Sequence, residues 1–302
     1  MKKIKKVGKG ATATIYLLAD HRPFSTFLPS SFLWKRSKPT NAVLAVKRFH
    51  PPQHESNTLF GQRLYKEFKL TQLSSHHHVV TVFELLKDRR GRWCIIMEYC
   101  HGGDVLTILQ QISLTNDAMD CIFKQLLRGM AHLHSLGIAH RDIKPDNLLM
   151  TRQGILKITD FGVAHQIIKK EKEVVVCQGL CGSMPYWPPE LFTSVEYYDG
   201  LAMDVWSAAI TFYCLLYTQI PFLQATTQDP HYASFLHQHS SFNSWSALNR
   251  CDPSLQHCIL SMLDPDPNLR WSIPQCLDSP WIQNIHTCYD HPTALVHHHH
   301  FT

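Results

Sequence analysis

Residues 140–147, His140-Arg141-Asp142-Ile143-Lys144-Pro145-Asp146-Asn147, decide how this chain is read. HRDIKPDN packs five ionisable side chains, an asparagine and a proline into eight positions, and the apolar Leu148-Leu149-Met150 follows at once. A solvated polar turn is one reading of such a stretch. The other is a site that needs two carboxylates, two permanent cations and an amide in one short loop. Asp160-Phe161-Gly162, thirteen residues past Asn147, favours the second reading.

Transfer of a nucleotide γ-phosphoryl group needs such a set. Mg²⁺ must bridge the phosphate oxygens, held by two oxygen-donor ligands. A carboxylate must meet the attacking hydroxyl, a lysine must fix the phosphates, and a loop must cover them. Asp142 can accept or orient the hydroxyl proton. Asn147 and Asp160 can ligate Mg²⁺, and Lys144 can neutralise charge on the moving group. His140 and Arg141 read as structural supports.

The cover is Gly8-Lys9-Gly10-Ala11-Thr12-Ala13-Thr14-Ile15, between two predicted strands. Glycine lets backbone N–H groups approach phosphate oxygens. A tight turn is the plainer reading of that stretch alone. Lys47 lies in a strand, Ala45-Val46-Lys47, where an exposed strand lysine is the plain alternative. Glu67, twenty residues on, can pair with it.

The rest of the chain accommodates this. The 302 residues, net charge +5 and 18% charged content suit a globular protein and show no basic stripe for nucleic acid. Ten scattered cysteines contain no CxxC pair. They read as reduced thiols, with zinc at Cys177 and Cys181 as the minor alternative. The start, MKKIKKVGKGATATIYLLAD, imitates a secretory leader, but two glycines break a short apolar run. The apolar stretch 205–222 reads as a buried core helix ended by Pro221 rather than a membrane span.

Alternation predicts strands over IYLLA, VLAVKRF, VVTVFELLK and WCIIMEY. Helical spacing covers 58–73, through Leu64, Phe68 and Leu73. A second helix begins at Asn116, read as its cap, repeats Ile122, Leu126, Met130 and Leu133 on one face, and ends at Gly137. Two short strands flank a turn at 152–154. Residues 20–42 read as an inserted loop.

These motifs, from GKGATATI through AVK, Glu67, HRDIKPDN, DFG, PPE at 188–190, DVWS at 204–207 and Arg270, resemble the eukaryotic protein kinases in their order. The resemblance implies an α+β, two-lobed fold with ATP in the cleft. A small β-rich N-lobe with one main helix would span 1–98, and a larger, mainly helical C-lobe 99–286. The His-rich tail 287–302 would lie outside both. Glu98-Tyr99-Cys100 would be the hinge that binds adenine, with Met97 as gatekeeper. Gly8, Lys9, Gly10, Ile15, Ala45, Lys47, Asp104 and Leu149 would complete the nucleotide site, with Asn147 and Asp160 on Mg²⁺. Asp204 would brace the loop, and Glu190 would pair with Arg270. Lys144 and Gly182-Ser183-Met184-Pro185-Tyr186 resemble serine/threonine kinases, with Ser183 bonding Asp142 and Lys144. Asp104 and Asp146 would contact ribose or a basic residue upstream of the acceptor, unless they are merely solvated. A cytoplasmic enzyme acting on a protein substrate follows.

GLCGSMPYWPPE and CHGGD further resemble fungal kinases named for nitrogen-permease reactivation and halotolerance, which govern plasma-membrane transporters. Such kinases carry long N-terminal extensions not seen here, so the chain reads as a truncated or divergent member. Three departures stand out. Ala13 replaces a third glycine. Thr71 sits where an apolar residue is usual and is expected to loosen its helix. No Ser, Thr or Tyr lies between Gly162 and Gly182. Activity is therefore expected without phosphorylation there, with Glu171 or Glu173 pairing with Arg141 or with the loop holding itself by packing Val174-Val175-Val176. A binding scaffold that has lost catalysis is the rival reading.

Overall fold

The computed structural model describes residues 4–10, 12–19, 43–52, 55–167, 177–193, 196–242 and 244–288. The 20–42 insertion, Glu171, Glu173, Val174-Val175-Val176 and most of the His-rich tail lie outside them. The chain forms two units, one of residues 1–72 and 80–99, the other of 73–79 and 100–302.

The first unit is a five-stranded antiparallel sheet with one helix. Its elements are β1 (Ile4–Lys9), β2 (Ala13–Ala19), β3 (Val43–Phe49), α1 (Asn57–Leu73), β4 (Val82–Lys87) and β5 (Trp93–Glu98). The spatial order is β1-β2-β3-β5-β4. The lysines of IKKVGK suit the sheet edge that β1 occupies, where charge discourages further pairing. Phe60, Leu64 and Phe68 of α1 bury against Ala45, Phe49, Val82, Ile95 and Met97. Gly61 makes room for the indole of Trp93, which a Cβ there would approach to 3.2 Å. Leu73, expected on the buried stripe, is 60% exposed at the helix end, and Leu70 is buried instead.

The second unit is mainly helical. It opens with β6 (Gly103–Asp104), α2 (Val105–Gln111) and α3 (Asn116–Ser135). Next come the short strands β7 (Ile138–Ala139), β8 (Leu148–Met150), β9 (Leu156–Ile158), β10 (His165–Gln166), β11 (Cys177–Gln178) and β12 (Tyr197–Tyr198). It closes with α4 (Gly200–Tyr217), α5 (Pro230–Phe242), α6 (Pro253–Met262), α7 (Ile273–Leu277) and α8 (Pro280–Asn284). The strands form a β6-β8-β9 sheet and the pairs β7–β10 and β11–β12.

Ile122, Leu126, Met130 and Leu133 of α3 are fully buried, as their spacing requires. The cap of α3 is Thr115, not Asn116: its hydroxyl accepts from the Ala118 amide, leaving Asn116 as the first helical residue. Gly137, at φ 67°, turns the chain out of the helix. Helix α4 begins at Gly200, capped by Asp199, and stops at left-handed Thr218, before Pro221 is reached. Among the described residues it is the one helix long and apolar enough to cross a membrane, yet 72% of that stretch is buried inside the protein. Phe212 of α4 packs at a tilt on Phe123 of α3 (ring centroids 4.6 Å apart) and edge-to-face on Trp281 of α8 (5.0 Å). Gln125 of α3 accepts from the Leu156 amide and donates to the Gly154 carbonyl, fixing the β8–β9 turn to the helix core.

Candidate active site

The 140–147 loop is anchored from below by Asp204 of α4, whose side chain is buried. Its two carboxylate oxygens accept the backbone amides of His140 and Arg141, each at 2.7 Å, and His134 Nε2 lies 3.1 Å away. Arg141 needs that anchor. Its φ of 63° is left-handed, costing a residue with a side chain about 1–2 kcal/mol. His140 reaches the Thr159 carbonyl at 3.0 Å and sits edge-on to Phe161.

On this base the loop gathers its polar groups. Asp142 Oδ2 accepts from Asn147 Nδ2 and from Lys144 Nζ, both at 2.9 Å. Asp142 Oδ1 is buried and has no hydrogen-bond partner among the described residues. Lys144 also donates to Ser183 Oγ at 2.6 Å. Ser183 was expected to bond both Asp142 and Lys144. No Ser183–Asp142 hydrogen bond forms, because Lys144 stands between them and bridges the pair.

Asn147 is spent as a donor only: Nδ2 gives to the Asp142 carboxylate and carbonyl, while Oδ1 accepts from no described residue. The amide of Thr159 donates to the Asn147 carbonyl at 3.0 Å, tying Asp160 to the loop. Asp160 is held in the left-handed region, φ 66°. These oxygens therefore stand on neighbouring backbone.

In the first unit Lys47 Nζ pairs with Glu67 Oε1 at 2.9 Å, with side chains 11% and 5% exposed. This rules out the plain exposed strand lysine. Ile15 stands opposite Lys47 across β2–β3, and Ala45 opposite Met97 across β3–β5. Gly8 and Lys9 pair with Ile15 and Thr14, and Gly10 closes the turn by donating to the Ala13 carbonyl. A Cβ on Gly8 or Gly10 would touch nothing closer than 3.7 Å, so packing of the described residues does not demand glycine there. Thr71 does not loosen α1. Its buried hydroxyl is satisfied by the Glu67 carbonyl at 2.8 Å, and the helix runs on to Leu73.

The remaining expected positions are more mixed. Glu98 uses its carboxylate to accept the Thr81 amide at 2.6 Å. Cys100 is buried. Leu149 is half-buried and pairs with Asp104 across β6–β8. Asp104 caps α2, with both oxygens taken by Thr107, whereas Asp146 is exposed. Around Cys177 and Cys181 no three metal-binding side chains converge among the described residues.

The protein kinase domain family matches residues 31–282. This chain belongs to the protein kinase family. It is 35% identical over 255 residues to the serine/threonine-protein kinase HAL4/SAT4 of Saccharomyces cerevisiae, covering 82% of this chain and 42% of that protein. It is 34% identical over 253 residues to the serine/threonine-protein kinase hal4 of Schizosaccharomyces pombe (82% and 40%). It is 28% identical over 292 residues to the nitrogen permease reactivator protein of Saccharomyces cerevisiae (82% and 37%). The chain thus spans about two fifths of the length of these relatives.

Within this kinase domain, Glu190 and Arg270 form a two-pronged ion pair at 2.7 and 2.9 Å. Sequence reasoning missed the surroundings of Arg141. Its guanidinium donates to the Val163 and Gln178 carbonyls and to the Tyr198 hydroxyl. Tyr198 lies 57 residues away with no local pattern to announce it.

Proposed function

We propose that this chain is a serine/threonine protein kinase that transfers the γ-phosphoryl group of ATP to a Ser or Thr hydroxyl of a protein. One observation carries the reading. Asp142 has one oxygen clamped by Asn147 and Lys144 and the other, Oδ1, without a donor among the described residues. That is the arrangement needed to accept the proton of an incoming alcohol.

The donor set fits a magnesium ion. Asn147 offers an amide oxygen and Asp160 a carboxylate, both hard oxygen ligands. Bound there, Mg²⁺ supplies charge neutralisation for the phosphates. Lys47, oriented by Glu67, fixes the phosphates. Lys144 stabilises charge on the moving group and, through Ser183, keeps the acceptor segment in register. Gly8, Lys9 and Gly10 cover the phosphates with backbone amides, consistent with glycines that protein packing does not require. Ile15, Ala45, Met97, Leu149 and the backbone of Glu98 and Cys100 complete the nucleotide site. Nothing in the geometry favours a catalytically dead scaffold.

The Lys144–Ser183 contact supports serine or threonine as acceptor. Exposed Asp146 supports a preference for basic residues upstream of it, a role for which Asp104 is less suited because its carboxylate caps a helix. Likeness to a nitrogen permease reactivator protein supports regulation of nutrient or ion transporters from the cytoplasm. A positional-scanning peptide library phosphorylated with Mg·ATP tests the whole reading. Label on Ser and Thr peptides enriched in Arg or Lys before the acceptor is expected. Absence of label from every peptide, or label confined to Tyr, overturns it.

A further inference from the structure

Arg141 is the point where four segments meet. Its backbone belongs to the Asp142 loop. Its Nε donates to Val163, just past Gly162, at 2.8 Å. Its Nη1 donates to the Gln178 carbonyl at 3.3 Å and to the Tyr198 hydroxyl at 3.0 Å. The side chain is largely buried, and a buried cation needs acceptors. Here the acceptors among the described residues are neutral, and no carboxylate of a described residue serves it.

The Tyr198 hydroxyl is itself fully engaged. It accepts from Arg141, donates to the Gly179 carbonyl at 3.2 Å, and lies 3.7 Å from Cys181 Sγ. Burial pushes its phenol well above the ordinary value, so it stays protonated and keeps that donation. Its backbone pairs with Cys177 across β11–β12. Tyr198 thereby holds the 177–181 segment at Cys177, Gly179 and Cys181. Close packing completes the joint. A Cβ on Gly182 would sit 2.2 Å from the Arg141 carbonyl, and one on Gly200 would sit 2.5 Å from Cys177 Sγ. Trp187 Nε1 donates to the Cys181 carbonyl at 2.7 Å. Two residues past Cys181, Ser183 holds Lys144, and Lys144 holds Asp142.

We propose that Tyr198 is a positioning residue whose hydroxyl, set between Arg141 and the 177–181 backbone, latches the acceptor-side segment onto the Asp142 loop without any phosphate. This rests on the kinase reading for its consequence in catalysis but not for the latch itself. A segment containing no Ser, Thr or Tyr from Val163 to Cys181 has no hydroxyl to phosphorylate. The phenol supplies from the fold the acceptor that Arg141 requires.

The test compares wild type, phosphatase-treated wild type and Tyr198→Phe, which keeps the ring and deletes only the hydroxyl. Three readouts are taken: peptide kinetics, ADP affinity with melting temperature, and amide exchange of 177–183. The latch predicts that Tyr198→Phe lowers kcat/KM for peptide by about tenfold and speeds exchange in 177–183 to a similar degree. ADP affinity should stay at the wild-type value and the melting temperature should fall by only a few degrees, as the loss of one buried hydrogen-bonding hydroxyl requires, which separates positioning from general damage. Phosphatase treatment should leave the wild-type rate unchanged. Unaltered exchange and kinetics in Tyr198→Phe, or a wild-type rate abolished by phosphatase, overturns the proposal. If wild type transfers no phosphate at all, the kinase reading fails, while exchange in 177–183 still decides the latch.

Discussion

Asn147 and Asp142 are joined twice: the Asn147 amide donates to the Asp142 carboxylate at 2.9 Å and to the Asp142 carbonyl at 2.8 Å. One side chain therefore sets both the position and the rotation of the carboxylate. Asn147→Ala removes the clamp and one proposed magnesium ligand together. A misplacement of that kind is worth about a hundredfold in rate, so kcat should fall at least that far in a steady-state assay. Asn147→Asp keeps an oxygen but loses the donor, and places a second negative charge beside Asp142. It should be similarly impaired, with Mg²⁺ dependence altered as well.

Gly182 is fixed by contact rather than by preference alone. Its φ is 79°, and a Cβ would meet the Arg141 carbonyl at 2.2 Å and Asp142 Oδ1 at 3.2 Å. Gly182→Ala must push the segment off the loop or crowd the Asp142 oxygen proposed to receive the alcohol. Peptide phosphorylation should drop about a hundredfold or more, while ADP binding, read by calorimetry, persists.

The Glu190–Arg270 pair serves stability. The Arg270 side chain is fully buried and that of Glu190 is 12% exposed. Arg270 also donates to the Ala202 and Asp264 carbonyls. Arg270→Ala strands a buried carboxylate and should cost about 3–5 kcal/mol in urea unfolding. Arg270→Lys keeps the charge but not the two-pronged geometry, and should recover only part of the loss.

His78 gives the fold a pH dependence of known sign. Burial is the main cause that lowers its pKa from 6.5 to about 3, against the raising effect of its contact with the Leu156 carbonyl. The native imidazole stays neutral where the unfolded one takes up a proton. Its contribution to stability is therefore present above pH 6.5 and is lost as pH falls toward 3. The limiting slope is about 1.4 kcal/mol per pH unit. Unfolding free energies measured between pH 7 and 5 should fall less steeply in His78→Asn than in wild type. Equal slopes would mean that His78 is not held neutral.

The sequence made the local parts of the site legible and left the distant ones hidden. HRDIKPDN and DFG announce their proposed roles in residue type and spacing, and Lys47 and Glu67, which pair at 2.9 Å, belong to elements whose periodicity is plain. Four of the five strands followed from alternation, and α3 from the Ile122–Leu133 stripe. Helix ends were less legible. Thr115 rather than Asn116 caps α3, and α4 stops at left-handed Thr218 because the chain turns there, not because of Pro221. Thr71 looked like a weak point, but a threonine can return its hydroxyl to the preceding turn. Ser183 was placed near the right groups, but which of them it bonds depends on where Lys144 lies. Tyr198 could not be found at all. Its importance comes from one buried hydroxyl meeting one guanidinium, and neither composition nor period encodes that.

Asp142 carries the central claim, and a single-turnover assay with excess enzyme over labelled Mg·ATP and a serine peptide tests it most directly. Asp142→Asn preserves size and the contact with Lys144 and Asn147 but removes the proposed base. Phosphoryl transfer should fall by about a thousandfold or more, with nucleotide affinity held near the wild-type value. Transfer within about tenfold of wild type, under conditions where the nucleotide is bound, would contradict the account.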